Sequence, residues 1–203
     1  NQDYKNIDGF VVARHGKLIV DEYFNGYNSE KLHKVWSVTK AITGAVIGIA
    51  IDRKFIKSEN DSIYKYMGTY LDSIEPSFKS ITLKHILTMT SGIDWVELGG
   101  PNSSGYKVAY SKDWIEFVLN QPMSSSPGTI FNYSSGNAML LAPILKNATG
   151  KQANEFADEF LFSPLGITNY EWTKCSEFCT KTEDRELPSA DKPTEPIIYE
   201  KPF

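Results

Sequence analysis

The chain has 203 residues, 41% of them hydrophobic and 13% aromatic, with 21 basic and 25 acidic residues and a formal net charge of -4. That apolar content suffices for one compact domain or two small lobes and argues against a disordered chain. The charges are scattered rather than blocked, which makes nucleic acid a poor partner and leaves no polybasic membrane anchor.

Asn1 directly precedes an ordinary domain start, so a processed N-terminus and the localisation both stay open. Phe10 to Arg14 and Leu18 to Phe24 are β-rich runs joined by His15-Gly16-Lys17, a pattern that predicts an antiparallel hairpin. Asn25 to Asn28, with Gly26, predicts the crossing from sheet to helices. From Val38, apolar residues at Ile42, Ala45, Val46, Ile49 and Ala50 recur at helical spacing and predict a long, largely buried helix ending at Asp52-Arg53-Lys54. The apolar stretch Ala41 to Ile51 within it is too short to span a bilayer. Further helices are predicted at Leu83 to Thr88, Lys112 to Leu119, Asn137 to Ala148 and Ala153 to Leu161. Ser80 and Ser111 are the expected caps, and Pro122, Gly150 and Pro164 the expected stops.

After Trp172 the periodicity fails. Residues 1–172 therefore read as the domain and 173–203 as an irregular tail rich in Pro, Lys and Glu. Cys175 and Cys179 lie in that tail without the His or Cys neighbours of a zinc site, so no metal is expected. A local disulfide and two reduced thiols remain equally open.

The pattern S-x-x-K occurs four times, at Ser37/Lys40, Ser62/Lys65, Ser104/Lys107 and Ser189/Lys192. Only Ser37-Val38-Thr39-Lys40 opens the apolar helix, where a three-residue spacing puts both side chains on one face. Helix N-terminal N–H groups there would stabilise a developing negative charge. A lysine against apolar neighbours loses solvation, which lets its neutral amine accept the serine proton. Taken locally, the pattern favours a serine that merely caps the helix and a lysine that points into solvent.

The rest of the chain weighs against that bland reading. Four further segments occur in order after the hairpin and Trp36-Ser37-Val38-Thr39-Lys40: Ile81 to Gly92, Pro127-Gly128-Thr129, Phe131 to Asn137, and Phe162-Ser163-Pro164-Leu165-Gly166. With them the sequence, from about Ile7 to Trp172, resembles the serine beta-lactamase and penicillin-binding-protein superfamily, in the branch of class C beta-lactamases, DD-peptidases and related esterases. The resemblance implies an α+β, beta-lactamase/transpeptidase-like fold, with Ser37 as nucleophile, Lys40 as base and Tyr133 as the tyrosine of a Y-x-N motif that shuttles protons. Ser135 stands where the family has the asparagine of that motif, and Asn137 lies two residues further on; both are candidate substrate-binding residues. His85 reads as packing or hydrogen bonding, His33 as a loop histidine and His15 as part of the hairpin turn. No G-x-S-x-G elbow occurs, so a Ser-His-Asp triad is unsupported.

The family's third motif, a Lys or His followed by Thr or Ser and Gly, is not found; Lys181-Thr182 is followed by Glu183. The expectation is an incomplete sheet whose open hairpin edge is covered by residues outside the present sequence, by a separate, complementary C-terminal chain, by self-association, or by the β-like run Ile197-Ile198-Tyr199. The expected activity is acyl transfer without a cofactor on a small-molecule ester, amide, lactam or D-peptide, with esters ahead of lactams. The alternatives are a non-catalytic sensor with an acylatable serine pocket and an inactive truncated relative. The resemblance also favours export from the cytoplasm.

Overall fold

A computed structural model of the chain describes residues 5–73 and 76–172. The described residues divide into two compact units, 5–34 with Asn169–Glu171, and Val35–Thr168 with Trp172. The tail and both cysteines lie outside the described residues.

In the first unit, β1 (Gly9–Arg14) and β2 (Lys17–Tyr23) pair antiparallel, from Gly9 opposite Tyr23 to Arg14 opposite Lys17. The expected hairpin is present; β1 starts one residue earlier than expected and β2 is shifted back by one. His15 and Gly16 make the connection with φ of 49° and 72°. Both values are positive, as a two-residue turn matching the right-handed strand twist requires. Val12 faces Val20 but Ala13 faces Leu18, so Ile19 is the extra residue of a bulge.

Asn25 follows with φ of 53° and donates from Nδ2 to the Lys5 carbonyl at 2.9 Å and to Asp8 Oδ1 at 2.8 Å. His33 Nε2 meets Asp8 Oδ2 at 2.9 Å and its Nδ1 meets the Lys34 carbonyl at 2.9 Å. Both ring nitrogens face acceptors, which favours the imidazolium. The hydrogen bond to Asp8 accordingly raises the His33 pKa, and the same bond, with help from Asn25, lowers that of Asp8. His33 is thus a loop clamp within this unit.

The second unit is helical. Its first helix, α1 (Val38–Asp52), buries Thr39, Thr43, Val46, Ile47 and Ala50. The buried stripe is narrower than the sequence suggested, since Val38 is 59% exposed and Ala41 and Ala45 are also exposed. α2 (Leu83–Leu87) begins with a capping box: Thr82 Oγ1 accepts from His85 N, and His85 Nδ1 accepts from Thr82 N. Ser80 is therefore not its cap. α3 (Ser104–Val108) was not expected; a chain rich in Gly and Ser hides it, and Ser103 caps it by accepting from Tyr106 N.

α4 (Trp114–Leu119) is capped by Asp113, not Ser111, because the Asp113 carboxylate accepts from Ile115 N at 2.8 Å and Glu116 N at 3.0 Å. α5 (Ser135–Thr149) starts two residues before the expected Asn137 and ends, as expected, at Gly150 in the left-handed region. It is the central helix of this unit, with Ser135 to Leu141, Ile144 and Leu145 all buried. α6 (Ala153–Ala157) runs into a wider π-type turn at Asp158–Phe162 rather than continuing as one α-helix. Several 3₁₀ turns complete the unit, at Ile63–Tyr66, Gly68–Ser73, Pro76–Ser80, Gly100–Asn102 and Ser163–Leu165. No helix among the described residues is long and apolar enough to cross a membrane.

Candidate active site

Ser37 stands at the N-terminus of α1, following Trp36, whose φ of 47° is unusual for a bulky residue. Three N–H groups close tightly on the carbonyls three residues back: Val38 on Val35, Thr39 on Trp36 and Lys40 on Ser37, at 3.0 to 3.1 Å. One turn of helix brings the two polar side chains together, and Lys40 Nζ donates to Ser37 Oγ at 3.0 Å. Ser37 makes no side-chain capping bond, so the bland reading in which it caps α1 does not describe the structure.

Tyr133 arrives from the loop before α5. Lys40 Nζ lies 5.3 Å from the centre of its ring, within the range of a cation–π contact. The loop is held by the other signature segment. Gly128 N donates to the Thr90 carbonyl at 2.7 Å, Asn132 N to the Met89 carbonyl at 2.8 Å, and Asn132 Nδ2 to the Trp95 carbonyl at 2.9 Å. Ser134 N approaches Met89 Sδ at 3.2 Å. The motifs at 81–92 and 127–137, far apart in sequence, are thus two halves of one scaffold. Gly92 is the tightest point of it: φ is 80°, and a Cβ there would lie 2.2 Å from the Ser125 carbonyl oxygen.

These residues open onto a cavity of about 480 Å³, in the size range of small-molecule sites. Ser37, Lys40, Tyr133 and Ser135 line it, together with Glu97 and a mostly apolar wall that includes Trp36, Leu98, Val108, Trp114 and Met139. Asn137 does not line it. That residue is 1% exposed, receives a hydrogen bond from Ser91 Oγ at 2.8 Å on its amide oxygen, and donates its own N–H to Ser134 Oγ at 3.1 Å. It braces the start of α5 from inside the core.

Glu97 was not anticipated from the sequence. Its carboxylate accepts from Ser135 N at 2.8 Å, Trp95 Nε1 at 2.6 Å and the Ser135 hydroxyl. It thereby sits at the N-terminus of α5, where a negative charge is favourable. No local pattern could have disclosed it, because its partner Ser135 lies 38 residues away.

A family model described as Beta-lactamase matches residues 7–201, reaching beyond Trp172 into the tail. A penicillin-binding protein of Bacillus subtilis is 24% identical over 172 residues, which are 79% of this chain and 37% of that relative. A provisionally assigned 6-aminohexanoate-dimer hydrolase of Bacillus anthracis is 25% identical with a TM-score of 0.62, covering 75% of this chain and 43% of the other. A provisionally assigned beta-lactamase of Bacteroides dorei gives a TM-score of 0.65 at 23% identity, covering 79% of this chain and 46% of the other. The fold is therefore beta-lactamase/transpeptidase-like, and the chain spans less than half the length of each of these proteins.

Proposed function

Because the chain belongs to the Beta-lactamase family, we propose that it carries a serine-hydrolase site that works through an acyl-enzyme on Ser37. The observation that supports this most is the 3.0 Å contact of Lys40 Nζ with Ser37 Oγ at the wall of the cavity. In its neutral form the Lys40 amine takes the hydroxyl proton as Ser37 Oγ bonds to the substrate carbonyl carbon. The carbonyl oxygen becomes an oxyanion. Among the described residues Ser37 N–H gives no backbone hydrogen bond, unlike the three N–H groups that follow it, so it can donate to that oxyanion. The collapse of the intermediate breaks the bond to the leaving group, which takes its proton through Lys40 and Tyr133. Water then repeats the sequence on the acyl-enzyme and releases the acid.

Esters stand ahead of lactams in this reading. Ser135 replaces the family's asparagine, and its hydroxyl is committed to Glu97, so it has less to offer a substrate amide. The rival reading is an acylatable sensor that does not turn over.

The test is labelling of the natural full-length protein with a fluorophosphonate, located by peptide mass spectrometry, followed by turnover of an activated ester. A single adduct on Ser37, lost in Ser37→Ala, is the expected result. An adduct elsewhere, or none, would overturn the assignment; an adduct on Ser37 with a stable acyl-enzyme and no turnover would favour the sensor.

A further inference from the structure

We propose that Glu97 determines specificity in this cavity by selecting acyl groups that carry an amine, an inference that rests on the acyl-transfer reading of Ser37. The wall formed by Trp36, Leu98, Val108, Ala109, Trp114 and Met139 offers mostly apolar contact area. Glu97 supplies the carboxylate of the lining, and Lys40 an amine already in contact with Ser37.

The hydrogen bonds of Glu97 explain why its charge remains available. All three donors, Ser135 N, Ser135 Oγ and Trp95 Nε1, are neutral, so they fix the carboxylate without cancelling its charge. Two of them meet Oε2 and one meets Oε1. A carboxylate has about four acceptor sites, which leaves Oε1 able to take one more donor. Among the described residues no cation pairs with it. A substrate ammonium would complete both the hydrogen bonding and the charge balance, in surroundings apolar enough to make a charge-assisted bond count. An acyl group bearing a carboxylate meets repulsion at the same place.

The competing role for Glu97 is purely structural, as the anion at the N-terminus of α5, so the experiment has to separate charge selection from capping. In the full-length protein, acylation of Ser37 is followed under single-turnover conditions with three p-nitrophenyl esters of similar shape: the cationic p-(aminomethyl)benzoate, the neutral p-ethylbenzoate and the anionic p-(carboxymethyl)benzoate. Nitrophenolate release gives the rate and the adduct mass gives the site. The cationic ester is expected to acylate about tenfold faster than the neutral one, with the anionic ester slowest, as for one partly desolvated charge pair. The preference should shrink as ionic strength rises from about 0.05 to about 0.5 M.

Glu97→Gln should bring the cationic-to-neutral ratio close to one. Ser135→Ala removes a donor but keeps the charge, and should preserve the preference. A wild-type ratio near one, a ratio that survives Glu97→Gln, or an equal fall for all three esters in both variants would leave Glu97 as a cap and overturn the proposal. Faster acylation by the anionic ester would assign selectivity to Lys40 instead. If Ser37 forms no adduct with any ester while the protein remains folded, the acyl-transfer reading fails and this inference fails with it.

Discussion

Replacing Gly92 by alanine tests how closely the 81–92 segment approaches residues 123–125, which lead into the second signature segment. Gly92 has φ of 80°, and its added Cβ would sit 2.2 Å from the Ser125 carbonyl oxygen and 3.1 Å from Met123 Cε. The left-handed backbone alone costs an alanine about 1 kcal/mol. The contact with Ser125 is backbone against backbone and cannot be relieved by turning a side chain. Relief means moving the 123–125 segment, whose Ser124 N and Ser125 N both donate to the Gly92 carbonyl, at 2.8 and 3.3 Å. Overpacking of this kind adds about 1–3 kcal/mol, for a total of about 2–4 kcal/mol. Gly150→Ala is the matched control: φ is 76°, and nothing lies within 4 Å of the added Cβ. That variant should lose only the backbone share, about 1 kcal/mol. Urea unfolding followed by tryptophan fluorescence and far-UV circular dichroism measures both, provided that the two probes coincide. Equal losses for Gly92→Ala and Gly150→Ala would refute the close approach of these segments.

Lys40→Arg should abolish acylation of Ser37 while the thermal midpoint stays close to wild type, because a guanidinium cannot serve as a base near neutral pH; unchanged burst kinetics would remove Lys40 from its proposed role. Asp113→Ala should cost about 1 kcal/mol in denaturant unfolding through loss of the α4 cap, whereas Ser111→Ala, if Asp113 alone holds the helix end, should leave α4 intact. For the hairpin unit, the His33 ring should titrate above its usual 6.5 in NMR, and Asp8→Asn should return it toward that value. With His33 raised and Asp8 lowered, the clamp's stabilisation is complete between 3.8 and 6.5, fades as pH rises through the folded His33 value, and fades again as pH falls through the folded Asp8 value. Hydrogen exchange of the Asn25–Lys34 loop that stayed constant across the upper transition would contradict this.

What the sequence determined by itself was everything carried by local periodicity and by short ordered motifs. The hairpin was legible because His15-Gly16 separates two β-rich runs and can adopt two consecutive positive φ values. The pairing of Ser37 with Lys40 was legible because three-residue spacing on a helix leaves the two side chains one turn apart. The end of α5 was legible because Gly150 takes the left-handed conformation at no steric cost.

Only the tertiary structure decided which serine or aspartate became a cap, since Asp113 and Ser111 are both competent and the geometry of the chain entering α4 chose the former. It turned Asn137, a candidate for touching substrate, inward to Ser91, and it delivered Glu97 to Ser135 across 38 residues. The reason is the range of the forces involved. Backbone sterics and helical spacing act over a few neighbouring residues and leave a mark in the sequence. The partners of a buried amide or carboxylate are set by which segments the packed core brings within hydrogen-bonding distance, and no local pattern records that.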